Sequence, residues 1–319
     1  MTRVVIVENS LDDFKRYREP LTKRVTEFSF DKLIFKSLFS IGSWYKFFQL
    51  EAEIFHVYRL NNVLVAYVLT FFNSATLIFH ITGFGRLYDG QKYKRNMLIM
   101  FLLRRIAFHG TVVCQNKVDS AFLAENKIKS QVINGSGAII PDDLDISLHK
   151  KKIGEIQFVY LGRLTHNKGI TELVSFFSEN LDLKLNIYGV FDKKYYQRNL
   201  LKLINKSTNI KFHGKSDSPD EIFREMDILI LNSDYGEGLP RVILEAVGNG
   251  CWVFAKSNPG TFYLSDIATI YDTLSRDILE EELLRITLRN KQIRLKCLKD
   301  TFSQDVIFDE ILSLYRKQI

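Results

Sequence analysis

Cysteine is scarce in this chain. Cys114, Cys251 and Cys297 are odd in number and widely scattered, and neither they nor the six histidines fall at metal-ligand spacing. That sets aside a disulfide framework and a zinc site, so no bound metal is expected, and such cysteine usage suits a reducing cytoplasm with no secretory leader. Glycine is missing where a dinucleotide fold needs it, because the first strand and its turn, "RVVIVENSLDDF", contain none. The full phosphate-loop signature ending in Gly-Lys-Ser/Thr is missing too, which removes ordinary oxidoreductases and nucleotide hydrolases. Charge is missing from Asn61 to Ile81, "NNVLVAYVLTFFNSATLIFHI", a run nearly long enough to span a bilayer. Asn73-Ser74 and the β-rich "TLIFHI" split it into a buried helix and a strand, so no span is expected.

What is present describes two globular domains. At 319 residues the chain exceeds the size at which a single core usually stops growing. With 46% apolar and 25% charged residues its composition is that of an ordinary folded protein. The net charge of +7 is uneven: residues 1–150 hold 20 Lys and Arg against 14 Asp and Glu, residues 151–319 hold 24 against 23. A basic first half can serve nucleic acid, an anionic membrane or an acidic substrate. No nucleic-acid-binding motif accompanies it, so nucleic acid is not expected as a partner.

The second half alternates. Apolar runs bounded by glycine predict strands at Ile156–Gly162, Leu183–Gly189, Asn209–Gly214, Asp227–Leu231, Cys251–Ala255 and Ile267–Asp272. Helical patterns fall between them at about 169–180, 193–206, 219–225 and 240–247, the order of a parallel, doubly wound sheet. The first half repeats the scheme with "RVVIV", Glu53–Tyr58, Ala75–Ile81, Thr111–Gln115 and Lys129–Asn134. The polar stretch Pro141–Glu155 reads as a linker, with Asp143 to Asp145 inside it. The domains expected are 1–145 and 146–300, followed by a helix at 301–319 whose apolar face needs a surface, expected to be the first domain.

Two motifs carry chemistry. "EGLPRVILEAVGNGCWVFA" sets Glu237 at the mouth of a Gly-Leu-Pro turn after a buried strand and Glu245 near the start of the following helix. Helix amino ends attract phosphate, and carboxylates accept hydrogen bonds from hydroxyls, so the pair suits a ligand carrying sugar hydroxyls beside a phosphate. Alternatively, Glu237 is a solvated loop residue and Glu245 an ordinary helix acid. "VYLGRLTHNKGI" places Gly162, Arg163 and Lys168 at the end of another strand, where guanidinium and ammonium can hold a diphosphate; the plainer reading is two surface cations.

These two motifs, in this order and at this separation, resemble glycosyltransferase family 4, retaining enzymes of the GT-B fold that use nucleotide-diphosphate sugars. "VVCQNKVDSAFLAEN" and "VINGSGAI" resemble the end of that family's first domain, particularly in bacterial surface-polysaccharide enzymes. The resemblance implies an α/β GT-B fold: two Rossmann-like domains facing a central cleft, the first for the acceptor and the second for the nucleotide sugar. It implies hexosyl or N-acetylhexosaminyl transfer with no cofactor beyond the nucleotide-sugar co-substrate. Arg163 and Lys168 would hold the departing diphosphate, Glu237 and His80 would lie near the sugar, and Glu245 would bind the ribose. Gly162, Gly189, Lys215, Gly238, Leu239 and Pro240 would complete the donor site. His80 reads equally as a core histidine ending a strand.

The chain departs from that pattern in three places: "ENSLDDF" replaces a glycine-rich loop, Asn232-Ser233 replaces Pro-Ser, and Trp252 replaces a frequent proline. The alternative function is an inactive GT-B subunit that binds nucleotide sugar or acts as a scaffold. The acceptor implied is a glycan, often linked to polyprenyl diphosphate. "KYKRNMLIMFLLRRIAFH" brackets an apolar run with Lys92, Lys94 and Arg95 on one side and Arg104-Arg105 on the other. It is either a helix resting on the anionic inner face of the cytoplasmic membrane or a buried crossover helix with solvated ends.

Overall fold

Every second residue of β1 (Thr2–Glu8) enters the same core: Val5 and Val7 join one buried cluster, Val4 and Ile6 another. A strand buried on both faces reads as an unbroken apolar run, hence "VVIV". The computed structural model describes residues 1–37, 40–72, 75–85, 93–141, 152–192, 194–234 and 237–319, with the backbone alone for 72, 93–95 and 194–196. They divide into two units, one of Met1–Gly137, Gly236–Leu239 and Asp305–Ile319, the other of Ala138–Tyr235 and Pro240–Gln304.

In the first unit β1 is followed by α1 (Leu11–Tyr17), α2 (Glu19–Arg24), β2 (Phe28–Ile34), α3 (Ile41–Gln49), β3 (Ile54–Tyr58), α4 (Val63–Phe72) and β4 (Thr76–Ile81). Then come α5 (Tyr93–His109), β5 (Gly110–Cys114), α6 (Lys117–Glu125) and β6 (Gln131–Val132). The strands form one parallel sheet in the order β2-β1-β3-β4-β5-β6. Helices α3, α4 and α5 cover the Val5 face through Phe47, Leu69 and Leu103. The opposite face is covered by Phe14 and by Ile307, Phe308, Ile311, Leu312 and Tyr315 from the C-terminal helix.

Several elements differ from expectation. The strand β2 was not foreseen: Ser29, Asp31 and Lys32 interrupt its apolar pattern because an edge strand is only half covered. The strand expected over Lys129–Asn134 shrinks to two residues at the other edge. The uncharged run Asn61–Ile81 does become helix α4 and strand β4, with Asn73-Ser74 outside the described residues. No helix among the described residues is long and apolar enough to cross a membrane.

The second unit runs β7 (Gln157–Leu161), α7 (Ile170–Glu179), β8 (Lys184–Tyr188), α8 (Lys194–Ile204), β9 (Ile210–Gly214), α9 (Pro219–Glu225), β10 (Ile228–Leu231), α10 (Arg241–Gly248), β11 (Trp252–Lys256) and β12 (Thr269–Tyr271). Two helices that the apolar spacing did not reveal follow, α11 (Arg276–Arg285) and α12 (Leu288–Phe302), capped by the Ser275 and Thr287 hydroxyls; α13 (Gln304–Arg316) ends the chain. Of the stretch read as a linker, residues 142–151, including Asp143 to Asp145, lie outside the described residues.

The order of this sheet is β12-β11-β10-β7-β8-β9, all parallel. From β7 the chain winds one way to β8 and β9, then returns to the other side of β7 to lay down β10. The winding therefore reverses between β7 and β10. At such a switch the loops leaving the carboxyl ends diverge and open a crevice for ligands.

Candidate functional site

The residues singled out in the second unit lie at or after the carboxyl ends of β7, β8, β9 and β10. Gly162 N–H donates to the Tyr188 carbonyl at 3.1 Å, and Gly189 N–H donates to the Gly214 carbonyl at 2.7 Å, which stitches together the carboxyl ends of β7, β8 and β9. A Cβ on Gly189, whose φ is +151°, would stand 1.8 Å from the Gly162 carbonyl oxygen. Only glycine permits that approach. Gly162, Gly189 and Lys215 thus lie at the ends of three adjacent strands, with Lys215 exposed and paired to Asp217 at 2.6 Å.

Arg163 is exposed, and its carbonyl accepts from the Tyr160 hydroxyl at 2.9 Å. Lys168 is half-buried and ends a short 3-10 turn, His166–Lys168. Gly169 then turns into α7 with φ +62°, and a Cβ there would meet the Asn232 carbonyl oxygen at 1.9 Å. Neither α7, which follows Gly169, nor α10, which follows Pro240, has a side-chain cap on its amino end. Two helix amino ends without a side-chain cap therefore follow the two strands at the switch, an arrangement suited to an anion.

Asn232-Ser233 stands where the resembled family has Pro-Ser, and Asn232 has a structural role. It is buried at the end of β10, its Nδ2 donates to the Gly169 carbonyl at 3.0 Å, and its Oδ1 accepts from the Tyr271 hydroxyl at 3.0 Å. A proline could not make these bonds, so Asn232 sets the spacing of the loops after β7 and β10. Trp252, the other departure, is buried beneath the Arg294 guanidinium at 3.4 Å from ring centroid to charge. Desolvation by burial lowers the Arg294 pKa to about 10.

Glu245 is half-buried and is the fifth residue of α10. It stands on the second turn of that helix.

Glu237, Gly238 and Leu239 belong to the first unit. The Gly238 carbonyl accepts from Asn116 Nδ2 at 2.5 Å, while Asn116 Oδ1 caps α6 by accepting from Asp119 N–H at 2.7 Å. A Cβ on Gly238 would lie 2.4 Å from the Thr82 carbonyl oxygen, and one on Gly83 would lie 2.3 Å from Gly238 N. Leu239 is buried, a Cβ on Gly135 would lie 3.1 Å from its side chain, and Glu237 is half-buried.

His80 is fully buried near the end of β4. Its Nδ1 lies 3.3 Å from His56 Nε2, His56 Nδ1 lies 2.7 Å from the Tyr315 hydroxyl, and its ring stacks on Tyr58. Its Nε2 has no hydrogen-bond partner among the described residues. Burial, the largest cause, lowers both histidine pKa values well below the usual range, and the Arg18 charge adds to this.

The loop "ENSLDDF" is likewise occupied by polar contacts that the sequence did not reveal. Glu8 is buried and pairs with Arg18 at 3.6 Å and with Arg59 at 3.1 Å, Asn9 Nδ2 donates to the Phe35 carbonyl at 2.9 Å, and Ser10 caps α1. Among the described residues no group of three His, Cys, Asp or Glu side chains is placed to hold a metal ion.

This geometry can be set beside known proteins. Residues 143–263 match the family Glycosyl transferases group 1. That group 1 segment contains both motifs and the switch between β7 and β10. Among solved structures, the Anabaena protein Alr3699/HepE, crystallised with UDP and glucose, superposes with a TM-score of 0.75 over 99% of this chain and 100% of its own, at 15% identity. Sucrose-phosphate synthase from Thermosynechococcus elongatus gives 0.77 over 99% of each chain at 13% identity. A glycosyltransferase from Rickettsia africae gives 0.73 over 99% and 98% at 15% identity. At such identities the likeness is one of fold, and the fold is a two-domain, Rossmann-like GT-B. A comparison with curated proteins gives no sequence match.

Proposed function

We propose that the protein is a retaining glycosyltransferase of family 4 that moves a hexosyl or N-acetylhexosaminyl group from a nucleotide-diphosphate sugar to a glycan acceptor. The observation that carries the reading is the pairing of Arg163 and Lys168 with the uncapped amino ends of α7 and α10 around one switch point. A diphosphate leaving group develops negative charge as the glycosidic bond breaks. Guanidinium, ammonium and backbone N–H groups fixed in advance stabilise that charge without reorganising, which lowers the barrier. UDP is the first nucleotide to test, since the Anabaena neighbour was crystallised with UDP and glucose.

In this reading Glu245 accepts hydrogen bonds from ribose hydroxyls and Glu237 positions the sugar, with His80 as a further sugar-side group. Gly162, Gly189, Lys215, Gly238, Leu239 and Pro240 complete the donor site, and no cofactor is needed. Residues 1–145 serve the acceptor and 146–300 the donor. The acceptor proposed is a polyprenyl-diphosphate-linked glycan in bacterial polysaccharide synthesis, reached at the inner face of the cytoplasmic membrane.

A thermal-shift screen across nucleoside diphosphates and their sugars tests the donor class, because a ligand that binds only the folded state raises the melting point. At 100-fold over Kd the stabilisation is about 2.7 kcal/mol. No shift with any nucleotide sugar at millimolar concentration would reject the donor reading. A shift without release of nucleotide in the presence of acceptor would favour the inactive subunit.

A further inference from the structure

Helix α5 is apolar on both sides. Its inner face buries Met100, Leu103 and Ile106 against the sheet, as any crossover helix does. The outer face of such a helix is ordinarily polar. Here Met97, Phe101 and Phe108 lie outward at 56%, 57% and 84% exposure, with exposed Arg104 on the same stripe. The buried-crossover reading therefore accounts for only half of the helix.

The stripe continues onto α4, where exposed Phe71 has the Arg105 guanidinium 4.5 Å from its ring centroid and Tyr67 bridges Phe71 and Phe101 by ring contacts. Helix α3 packs on the same face of the sheet and shows the same habit: Phe47 points inward, while Ile41, Tyr45 and Phe48, at i, i+4 and i+7, are exposed. A second fact concerns charge. None of the three helices contains an aspartate or glutamate, and each ionisable Lys or Arg they hold, Lys46, Lys94, Arg95, Arg104 and Arg105, is cationic. Lys92 lies outside the described residues, and of Lys94 and Arg95 only the backbone is described.

We propose that the outer face of α3, α4 and α5 is a docking surface for an anionic lipid bilayer. Exposed aromatic and aliphatic side chains enter the headgroup boundary while lysine and arginine meet lipid phosphates, the combination that holds interfacial helices. A second copy of the chain fits less well, because two acid-free, cationic faces would repel each other. The proposal deepens the membrane part of the proposed function and rests on it only for its purpose. Lipid binding and donor binding are measured separately, so either can fail alone.

The test is sedimentation of the full chain with vesicles of phosphatidylcholine alone or mixed with phosphatidylglycerol, at low and high salt. The mixed vesicles are expected to bind about tenfold or more tightly than the neutral ones at low salt, and salt should weaken the difference. Phe101→Ser with Phe108→Ser, and separately Lys46→Glu with Arg104→Glu, should each lower the partition about tenfold. Their melting points and donor-induced thermal shifts should match the parent's, since these side chains are exposed. Equal recovery of the parent from anionic and neutral vesicles, or variants that bind like the parent, would overturn the proposal. So would a lipid-independent dimer that Phe101→Ser abolishes, which would assign the face to a second copy.

Discussion

His56 Nε2 and His80 Nδ1 face each other at 3.3 Å inside the first unit, in rings tilted by only 12°. Both lie on the sheet face covered by α13, and the pair is enclosed by Tyr58, Tyr315 and Arg18, with Glu8 paired to Arg18. Two imidazoles beside a buried guanidinium stay neutral, because a further positive charge there would be desolvated and repelled.

That arrangement makes stability depend on pH. Both folded pKa values lie below the unfolded one near 6.5, so above that pH neither state binds the protons and nothing changes. Below it the unfolded chain takes up protons that the folded chain refuses, and stability falls by up to about 1.4 kcal/mol per pH unit for each proton. Urea unfolding between pH 7.5 and 5.5 should show this decline, and His56→Asn should flatten it. A parent whose stability is level across that range would contradict the neutral pair.

Arg163→Ala and Lys168→Ala should each lower kcat by about two orders of magnitude or more, the usual cost of removing one group that stabilises transition-state charge. Both positions are at least partly exposed, so folding should survive. Steady-state assays of nucleotide release check this, and parental kinetics in both folded variants would sink the diphosphate assignment.

Glu245→Gln and Glu237→Gln should separate by ligand. Loss of charge-assisted bonds to ribose hydroxyls weakens binding of both the free nucleoside diphosphate and the nucleotide sugar, by about tenfold. Loss of a sugar contact weakens only the nucleotide sugar. Isothermal calorimetry with the two ligands distinguishes these patterns, and identical binding of both ligands by both variants would show the division to be wrong.

Gly169→Ala should destabilise the second unit by several kcal/mol. The backbone there has φ +62°, which alone costs about 1 kcal/mol or more for a side chain, and the new Cβ would lie 1.9 Å from the Asn232 carbonyl oxygen. Asn232→Ala should cost about 1–3 kcal/mol by leaving buried partners unsatisfied. Thermal unfolding reads both. A Gly169→Ala protein as stable as the parent would mean that the two loops are not held as close as described.

Local sequence determined the element types and the chemistry of the two motifs. Runs such as "DILIL" and "CWVFA" can hardly be anything but strands buried on both faces, and Gly189 after β8 marks a close loop approach. Those properties depend on neighbours in the chain, so they can be read there. Edge position hid β2, whose pattern is broken by Asp31 and Lys32 because half of it faces solvent. Tertiary structure alone decided the rest. The order β10-β7 creates the switch that brings the loops after these two strands side by side, and strand order is set by long-range pairing. Asn232 reaches Gly169 across 63 positions, and His56 meets Tyr315 across 259. The exposed side of α5 could not be separated from its buried side in sequence, since both are apolar and only packing against the sheet decides which half remains outside.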